Sequence, residues 1–132
     1  MSHPVRLPLS DVAEYAYLAT VDPSARLVFT AGACPLAPDG RTVAPGDHAA
    51  QAQQVMANLE SALAAGGATL SDVVKTTVYV ASSRRDDLVT VWKVVRDAFG
   101  DHDPPSTLLG VAVLGYTDQL VEVEAIAAVP AS

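Results

Sequence analysis

The sequence has a single cysteine, three histidines and no long apolar run. Cys34 stands alone among 132 residues, so a disulfide within the chain is impossible and cysteine usage does not fix the redox compartment. The histidines, at positions 3, 48 and 102, lack the spacing of metal ligands, and we predict no metal site. No apolar stretch approaches the roughly 18 residues of a membrane span, and the segment 1–12 lacks the apolar core of a signal peptide. We therefore expect a cytoplasmic protein without a membrane partner.

Charges are also scarce, and most of them are acidic. Asp and Glu together number 15 against 8 Lys and Arg, which gives a formal net charge of -7 and a pI near 4.6. Such a chain gains little from counterion release on a phosphate backbone, so we predict no nucleic-acid partner. Only 17% of the residues are charged, while 50% are hydrophobic. One subunit thus has little polar material for its own surface, which favours burial of apolar surface against other subunits.

Two segments carry apolar side chains at helical spacing. The first covers 47–65, with Asp47 as its N-cap and a pair of glycines at its end. Its apolar stripe consists of Ala52, Val55, Met56, Leu59, Ala62 and Leu63. The second begins within SSRRDD and ends at Gly100, and its apolar stripe includes Trp92. We predict two helices that pack on the same face of a sheet.

The remaining periodic segments predict strands. One hairpin is expected from YAYLATV and RLVFTAG, and another from STLLGVAVL and QLVEVEAIAAV. Between the helices, DVVKTTVYVA alternates, with one apolar face made of Val74, Thr76, Val78 and Val80. The order ββαβαββ predicts an α+β fold, a mixed sheet with two helices on one face, in a single domain over 1–132.

The last predicted strand has a mixed second face. Leu120, Glu122, Glu124 and Ile126 point away from the predicted helices. A solvent-facing strand would be more uniformly polar, and a core would not hold two unpaired carboxylates. We predict that another subunit covers this face. The alternative for the two carboxylates is an ion pair at the subunit interface, for example with Lys75.

Three segments occur in an order that resembles the RidA/YjgF family. They are RLVFTAGACPL, GATLSDVVKTTVYV, and PPSTLLGVAVL with LVEVEAIA, and the similarity spans about 15–129. The resemblance implies a chorismate-mutase-like fold, a homotrimer, a small-molecule cleft between each pair of subunits and no cofactor. Its deaminating members hydrolyse imines and enamines to 2-oxo acids and ammonia.

The resemblance also implies the site residues, with departures. The family's water-positioning Glu is retained as Glu122, the predicted catalytic residue, whereas the Arg that holds the substrate carboxylate is replaced by Pro105. The substrate-binding positions that the resemblance implies are Tyr17, Ala31, Gly32, Trp92, Pro105, Ser106 and Thr107. Tyr116 is a further aromatic candidate, because it lies in the turn between the last two predicted strands. An Arg–carboxylate hydrogen bond contributes roughly 1.5–3 kcal/mol, and proline offers neither charge nor N–H. We therefore expect the small 2-imino acids to be poor substrates.

Two functions remain open at this point. The first is an enzyme that hydrolyses or isomerises another imine or enamine, with Glu122 transferring protons. The second is a binding or regulatory trimer that uses the same cleft without turnover, which a cleft plugged by Trp92 would favour. RNA cleavage, reported for some relatives of this fold, fits poorly with the acidic charge and the absence of a histidine acid–base set.

Several single residues have alternative interpretations. Arg84 or Arg85 could replace the missing Arg, or could pair with the neighbouring Asp86 and Asp87. Helical periodicity favours a core role for Trp92, and its turn position favours solvation for Tyr116. Cys34 is interpreted as a small buried side chain rather than a nucleophile.

Overall fold

The computed structural model describes residues 2–5 and 15–131. The strands are β1 (Ser2–Val5), β2 (Leu18–Val21), β3 (Arg26–Phe29), β4 (Val73–Ala81), β5 (Ser106–Val111) and β6 (Val121–Val129). The helices are α1 (His48–Ala65) and α2 (Arg85–Phe99), and a short 3-10 turn at Leu70–Asp72 leads into β4. The predicted order of elements is confirmed from β2 onward. The sequence patterns do not predict β1, because four residues that include Pro4 show no alternation.

Four of the strands form a mixed sheet in the order β3-β6-β4-β5. β4 runs parallel to β5 and antiparallel to β6, and β6 is antiparallel to β3. The parallel pair follows from its connection, since the α2 crossover returns the chain to the end of the sheet where β4 began. The predicted α+β fold with a mixed sheet is confirmed.

Both predicted hairpins are wrong. β5 and β6 are not neighbours, because β4 lies between them and the nine residues of 112–120 carry the chain across it. β2 pairs with β1 in a separate two-stranded sheet, while β3 pairs with β6. The turn between β2 and β3 does form, with the N–H of Ala25 donating to the carbonyl of Asp22 (3.0 Å). A turn signal locates a change of direction without selecting the strand that becomes the partner.

The first residues of β4 depart from the predicted alternation. The register against β6 shifts between Val73 and Lys75, which marks a β-bulge. As a result Val73, rather than Val74, is fully buried on the helix side together with Thr76, Val78 and Val80. The predicted position of Val74 on that face is therefore wrong, and the rest of the face is confirmed.

Helix α1 begins and ends where the sequence predicts. The Asp47 side chain accepts a hydrogen bond from the N–H of Ala50 (3.0 Å), satisfying a backbone donor that the helix leaves free. Beyond the helix, Gly67 has φ +79, a conformation that glycine adopts without steric cost. The predicted apolar stripe is buried at Ala52, Val55, Met56, Leu59 and Leu63. Ala62, predicted to belong to that stripe, is instead exposed.

Helix α2 covers the same face of the sheet as α1. Val91 and Val95 are fully buried, while Trp92 is half-buried and packs against the core. Gly100, with φ +63, ends the helix. Both predicted helices and their common face are confirmed.

A buried glutamine joins α1 to two loops. Gln51 is 0% exposed, and its amide donates to the carbonyls of Ala44 (3.3 Å) and Asp118 (2.9 Å). Its oxygen accepts from the N–H of Leu120 (2.8 Å). Ala44 and Asp118 have φ values of 46 and 62, which cost energy in residues other than glycine. Gln51 thus holds two unfavourable backbone conformations in place.

The other face of the sheet is only partly covered. Glu122, Glu124 and Ile126 are half-buried there, as predicted from the alternation of the last strand. Phe29 of the neighbouring strand β3 is 68% exposed. We call this side of the sheet the open face. Among the described residues, no helix is long and apolar enough to cross a membrane.

Candidate functional site

The Glu122 carboxylate lies on the open face with two hydrogen-bond donors on one of its oxygens. Glu122 Oε1 accepts from the side-chain amide of Gln119 (3.0 Å) and from the thiol of Cys34 (3.3 Å). Because both donors meet at Oε1, the orientation of the carboxyl group is defined. The second oxygen, Oε2, lies towards Gly32.

Gly32 is required by this close approach. A Cβ atom built on Gly32 would lie 2.1 Å from Glu122 Oε2, so any other residue would displace the carboxylate. The backbone around Gly32 is fixed against β6, with the N–H groups of Thr30 and Ala33 donating to the carbonyls of Ala125 (3.0 Å) and Val123 (2.7 Å). Gly32 and Glu122 therefore lie against each other within one chain.

Gln119 connects Glu122 to the turn that precedes β6. Its side chain is 4% exposed, and its oxygen accepts from the N–H of Tyr116 (3.0 Å). Its amide also donates to the carbonyl of Val121 (3.1 Å). Gln119 was not predicted as a site residue, because a polar residue in a turn carries no sign that the fold will bury it.

Cys34 is half-buried, and its contact with Glu122 was not predicted. Burial, with the neighbouring Glu122 charge as a further cause, raises the pKa of the Cys34 thiol to about 11. The group is therefore a neutral donor at neutral pH rather than a thiolate nucleophile. Its position on the same face as Gly32 follows from the alternation of an extended segment, which is the signal that could have identified it.

A cleft of about 430 Å³ adjoins the Glu122 cluster. Its lining includes the predicted residues Ala31, Gly32 and Tyr116, together with Phe29, Cys34 and the exposed Ala62. Asn58 shapes one wall, since its amide donates to the carbonyls of Cys34 (2.8 Å) and Leu36 (3.0 Å). Most of the lining is apolar, which suits a ligand with an apolar body.

Tyr17 and Trp92 lie in a second group. The ring of Tyr15 is 6.0 Å from the ring of Tyr17 and 6.0 Å from that of Trp92, which it meets edge-on. The N–H of Ala16 donates to the carbonyl of Asp103 (3.1 Å), which brings this aromatic segment to the residues before β5. Trp92 does not line the cleft described above.

Pro105 directly precedes β5, and Ser106 and Thr107 are the first residues of that strand, beside β4. The carbonyl of Pro105 accepts from the N–H of Thr76 (3.0 Å), and the Ser106 hydroxyl is hydrogen-bonded to that of Thr76. Ser106 thus faces the helices, next to a buried residue. Thr107 points to the open face, where its hydroxyl accepts from Lys75 Nζ (2.7 Å).

The predicted site residues therefore fall into two groups within one chain. Pairing places Ser106 beside Thr76 and Glu122 beside Tyr79. Pro105 is therefore two strands away from Glu122, because β4 lies between β5 and β6, and it is also about four residues away along the strand direction. Together these offsets separate the two backbone positions by about 16 Å. A single chain does not bring position 105 into contact with Glu122.

Arg84 and Arg85 are not close to Pro105. They line a separate cavity of about 430 Å³ at the start of α2, beyond the end of β4, whereas Pro105 precedes the start of the parallel strand β5. Arg84 lies 3.9 Å from Asp86, and both side chains are largely exposed, so this predicted pair contributes little to stability. Asp87 accepts instead from the Ser82 hydroxyl (2.6 Å).

Within the described part of one chain, Lys75 forms no ion pair with a β6 carboxylate, so the predicted pair at the subunit interface stays a prediction. Glu124 accepts from the Tyr79 hydroxyl (2.8 Å), and this carboxylate together with burial raises the pKa of Tyr79. Lys75 donates to Thr107. Residues 2–5 and 15–131 also contain no cluster of three or more His, Cys, Asp or Glu side chains that could hold a metal ion.

The four-stranded mixed sheet with two helices on one face defines a class of small α+β proteins, and comparison with known proteins identifies the family within it. The sequence profile described as Endoribonuclease L-PSP matches residues 9–129. The chain belongs to the RidA/YjgF family.

Several relatives resemble the chain over most of its length. A RutC family protein from Pyrococcus abyssi is 35% identical over 100 residues, covering 76% of each protein. The 2-iminobutanoate/2-iminopropanoate deaminase of Escherichia coli K12 is 36% identical over 104 residues, which cover 76% of this chain and 78% of the relative. The crystal structure of the Rid family protein YyfB from Yersinia pestis superposes with a TM-score of 0.88 at 26% identity, covering 97% of this chain and 98% of that one.

Proposed function

We propose that this single-domain chain forms a homotrimer whose subunit clefts hydrolyse or isomerise an imine or enamine other than the small 2-imino acids, with Glu122 as the proton-transfer group. The observation that carries the proposal is the Glu122 carboxylate, oriented by two donors on Oε1 beside a cleft of about 430 Å³. No cofactor takes part in the proposed reaction.

Hydrolysis of an imine requires a group that moves protons. Water adds to the imine carbon, a C–O bond forms, and the nitrogen gains a proton. The C–N bond then breaks, ammonia leaves, and a carbonyl product remains. With Oε1 engaged by Gln119 and Cys34, Glu122 Oε2 is the oxygen that accepts the water proton and returns it to nitrogen. The E. coli relative is a 2-iminobutanoate/2-iminopropanoate deaminase, which supports this class of reaction.

The open face supports association of subunits. Phe29 is 68% exposed and Leu109 43% exposed on this side, next to half-buried carboxylates. Large apolar side chains that lie exposed on the same face of a protein mark a surface for association. Association would also bring the Pro105 group of one subunit towards the Glu122 group of the next, which a single chain keeps about 16 Å apart. Light scattering should report a trimer, and Phe29→Asp should dissociate it.

RNA cleavage gains no support from the histidines. His3 hydrogen-bonds Asp22 (3.0 Å), and the His48 ring nitrogen lies 3.8 Å from Asp87. His102 is hydrogen-bonded to the carbonyl of Val73 (2.7 Å). The three rings lie on different parts of the fold, whereas general acid–base cleavage needs two groups at one phosphate.

The experiment that tests the proposal measures ammonia release. Enzymatically generated 2-iminobutyrate is supplied to the natural protein and to Pro105→Arg, each checked to be trimeric, and a panel of larger or uncharged imines is supplied in parallel. We expect the natural protein to turn over a larger imine and to be poor on 2-iminobutyrate, and Pro105→Arg to gain activity on 2-iminobutyrate.

The control compares Glu122 with a carboxylate that lies away from both cavities. Glu122→Gln should abolish turnover, while Glu60→Gln, on the exposed side of α1, should retain it. Equal activity of Glu122→Gln and the natural protein would contradict the proposed role. Absence of turnover on every imine, with ligand binding retained, would favour a binding trimer instead.

A further inference from the structure

Lys75 is a half-buried cation on the open face without a carboxylate partner in the described part of the chain. Its Nζ donates to the Thr107 hydroxyl (2.7 Å), and no described carboxylate oxygen lies within ion-pair distance. Burial lowers the pKa of Lys75, as expected for an ammonium group that loses water without gaining an anion. A half-buried ammonium group without a carboxylate partner favours the binding of an anion.

The available hydrogen-bond donors at this point suit a carboxylate. An ammonium group has three donors, and Lys75 uses one of them on Thr107. Because the Thr107 oxygen accepts this bond, its own O–H is free to donate. Thr77 pairs with Thr107 across the parallel strands, so Lys75 and Thr107 project side by side from β4 and β5. Lys75 and Thr107 therefore offer two neighbouring donors and one positive charge on the open face.

A cavity of about 200 Å³ opens at Lys75. Phe29 and Ile126 provide apolar walls, and Thr77 lines it beside Lys75. Glu124 also lines it, and its Oε1 is engaged by the Tyr79 hydroxyl. Phe29 also lines the larger cleft next to Glu122, so the two spaces adjoin.

We propose that Lys75 and Thr107 bind the carboxylate of a ligand whose apolar part packs against Phe29 and Ile126. This inference rests on the proposed function and specifies its substrate class. Lys75 pairs with Ile126, four residues from Glu122 along β6, so the two backbone positions are about 13 Å apart along the strand. In a 2-imino acid the carboxylate is bonded directly to the imine carbon, so such a molecule cannot span this distance. The substrate is an imine or enamine whose carboxylate is separated from the reacting carbon by an apolar spacer.

The test uses two probes of the same shape, benzoate and benzamide, which differ in charge. Their dissociation constants are measured by NMR titration for the natural protein, Lys75→Met, Lys75→Arg and Thr107→Val. We expect the natural protein to prefer benzoate by about tenfold or more, as for a hydrogen bond to a charged group. Lys75→Met should lose the preference, Lys75→Arg should keep it, and Thr107→Val should weaken benzoate binding severalfold.

The matched control is Lys93→Met, which removes an exposed cation on α2 and should leave the preference unchanged. An unchanged benzoate preference in Lys75→Met would overturn the inference. So would dissociation of the assembly by Lys75→Met with benzoate binding retained, because Lys75 would then pair with a carboxylate of another subunit. Failure of the proposed function is seen separately, as absence of ammonia release from every imine of the panel, those with a distant carboxylate included, while the benzoate preference is retained.

Discussion

The contact between Cys34 and Glu122 makes the only cysteine of the chain a reporter of the Glu122 charge. Glu122→Gln removes that charge and leaves the burial of the thiol unchanged, so the pKa of Cys34 should fall from about 11 without returning fully to the ordinary 9.0, because burial is the larger cause. The sign follows from the charge, since a neighbouring anion opposes formation of the thiolate and a neutral amide does not.

The size of the effect can be worked from the ionised fraction. At pH 9 a thiol with the ordinary pKa of 9.0 is half ionised, whereas a thiol with a pKa of about 11 is about 1% ionised. Only the thiolate reacts with alkylating reagents, so the natural protein should react roughly 50-fold more slowly than a reference thiol at this pH, apart from steric hindrance. At pH 9, each unit by which Glu122→Gln lowers the pKa of Cys34 increases the rate of alkylation about tenfold.

Iodoacetamide alkylation followed by mass spectrometry measures the rate between pH 7 and 11. We compare the natural protein and its variants by the pH at which the alkylation rate is half-maximal. Steric hindrance changes the absolute rate at Cys34 but does not change this midpoint. Glu124→Gln is the matched control, since Glu124 lies on the same strand face but bonds Tyr79. An unchanged midpoint in Glu122→Gln, or an equal shift in Glu124→Gln, would refute the contact.

Three further predictions test the surrounding structure. Gly32→Ala should displace the Glu122 carboxylate and lower the Cys34 midpoint as Glu122→Gln does, with an unchanged circular dichroism spectrum; an unaltered midpoint would contradict the close approach. Gln51→Leu should lower the free energy of unfolding by about 2–4 kcal/mol in urea titrations, because two buried carbonyls and an N–H lose their partner; a loss below about 1 kcal/mol would count against this role. Because the folded-state pKa of Cys34 is raised, the natural protein should lose stability relative to Cys34→Ser as the pH rises from 9.0 towards 11, and a constant difference would exclude a raised pKa.

The helices were predictable because their signals are local. Asp47 caps α1 through an N–H three residues away, and Gly100 ends α2 with a backbone conformation that glycine favours. Apolar periodicity then fixed the buried side of each helix, and alternation fixed that of β6. These features need no information from distant parts of the chain.

Strand pairing and the surroundings of Glu122 were not predictable in the same way. β5 and β6 are consecutive along the chain and apolar, which favours a hairpin, yet the α2 connection makes β5 the parallel neighbour of β4 and leaves β6 on its other side. Cys34 and Gln119 meet Glu122 only after β3 has paired with β6 and the turn before β6 has folded. The family resemblance predicted Glu122 as a site residue, but it did not predict Cys34 and Gln119, which orient the carboxylate.

The position of β6 in the sheet has a consequence for synthesis on the ribosome. β6 lies between β3 and β4, and its pairing joins Arg26 to Val129, residues about 100 positions apart. A nascent chain that ends before residue 121 can form both helices and the β4–β5 pair, but β3 lacks its partner and the helices lack the middle of their sheet. Pairing over such a separation folds slowly, because a long loop must close first. The sheet is therefore completed late, and partly synthesised chains expose apolar strand edges to which chaperones or other nascent chains can bind.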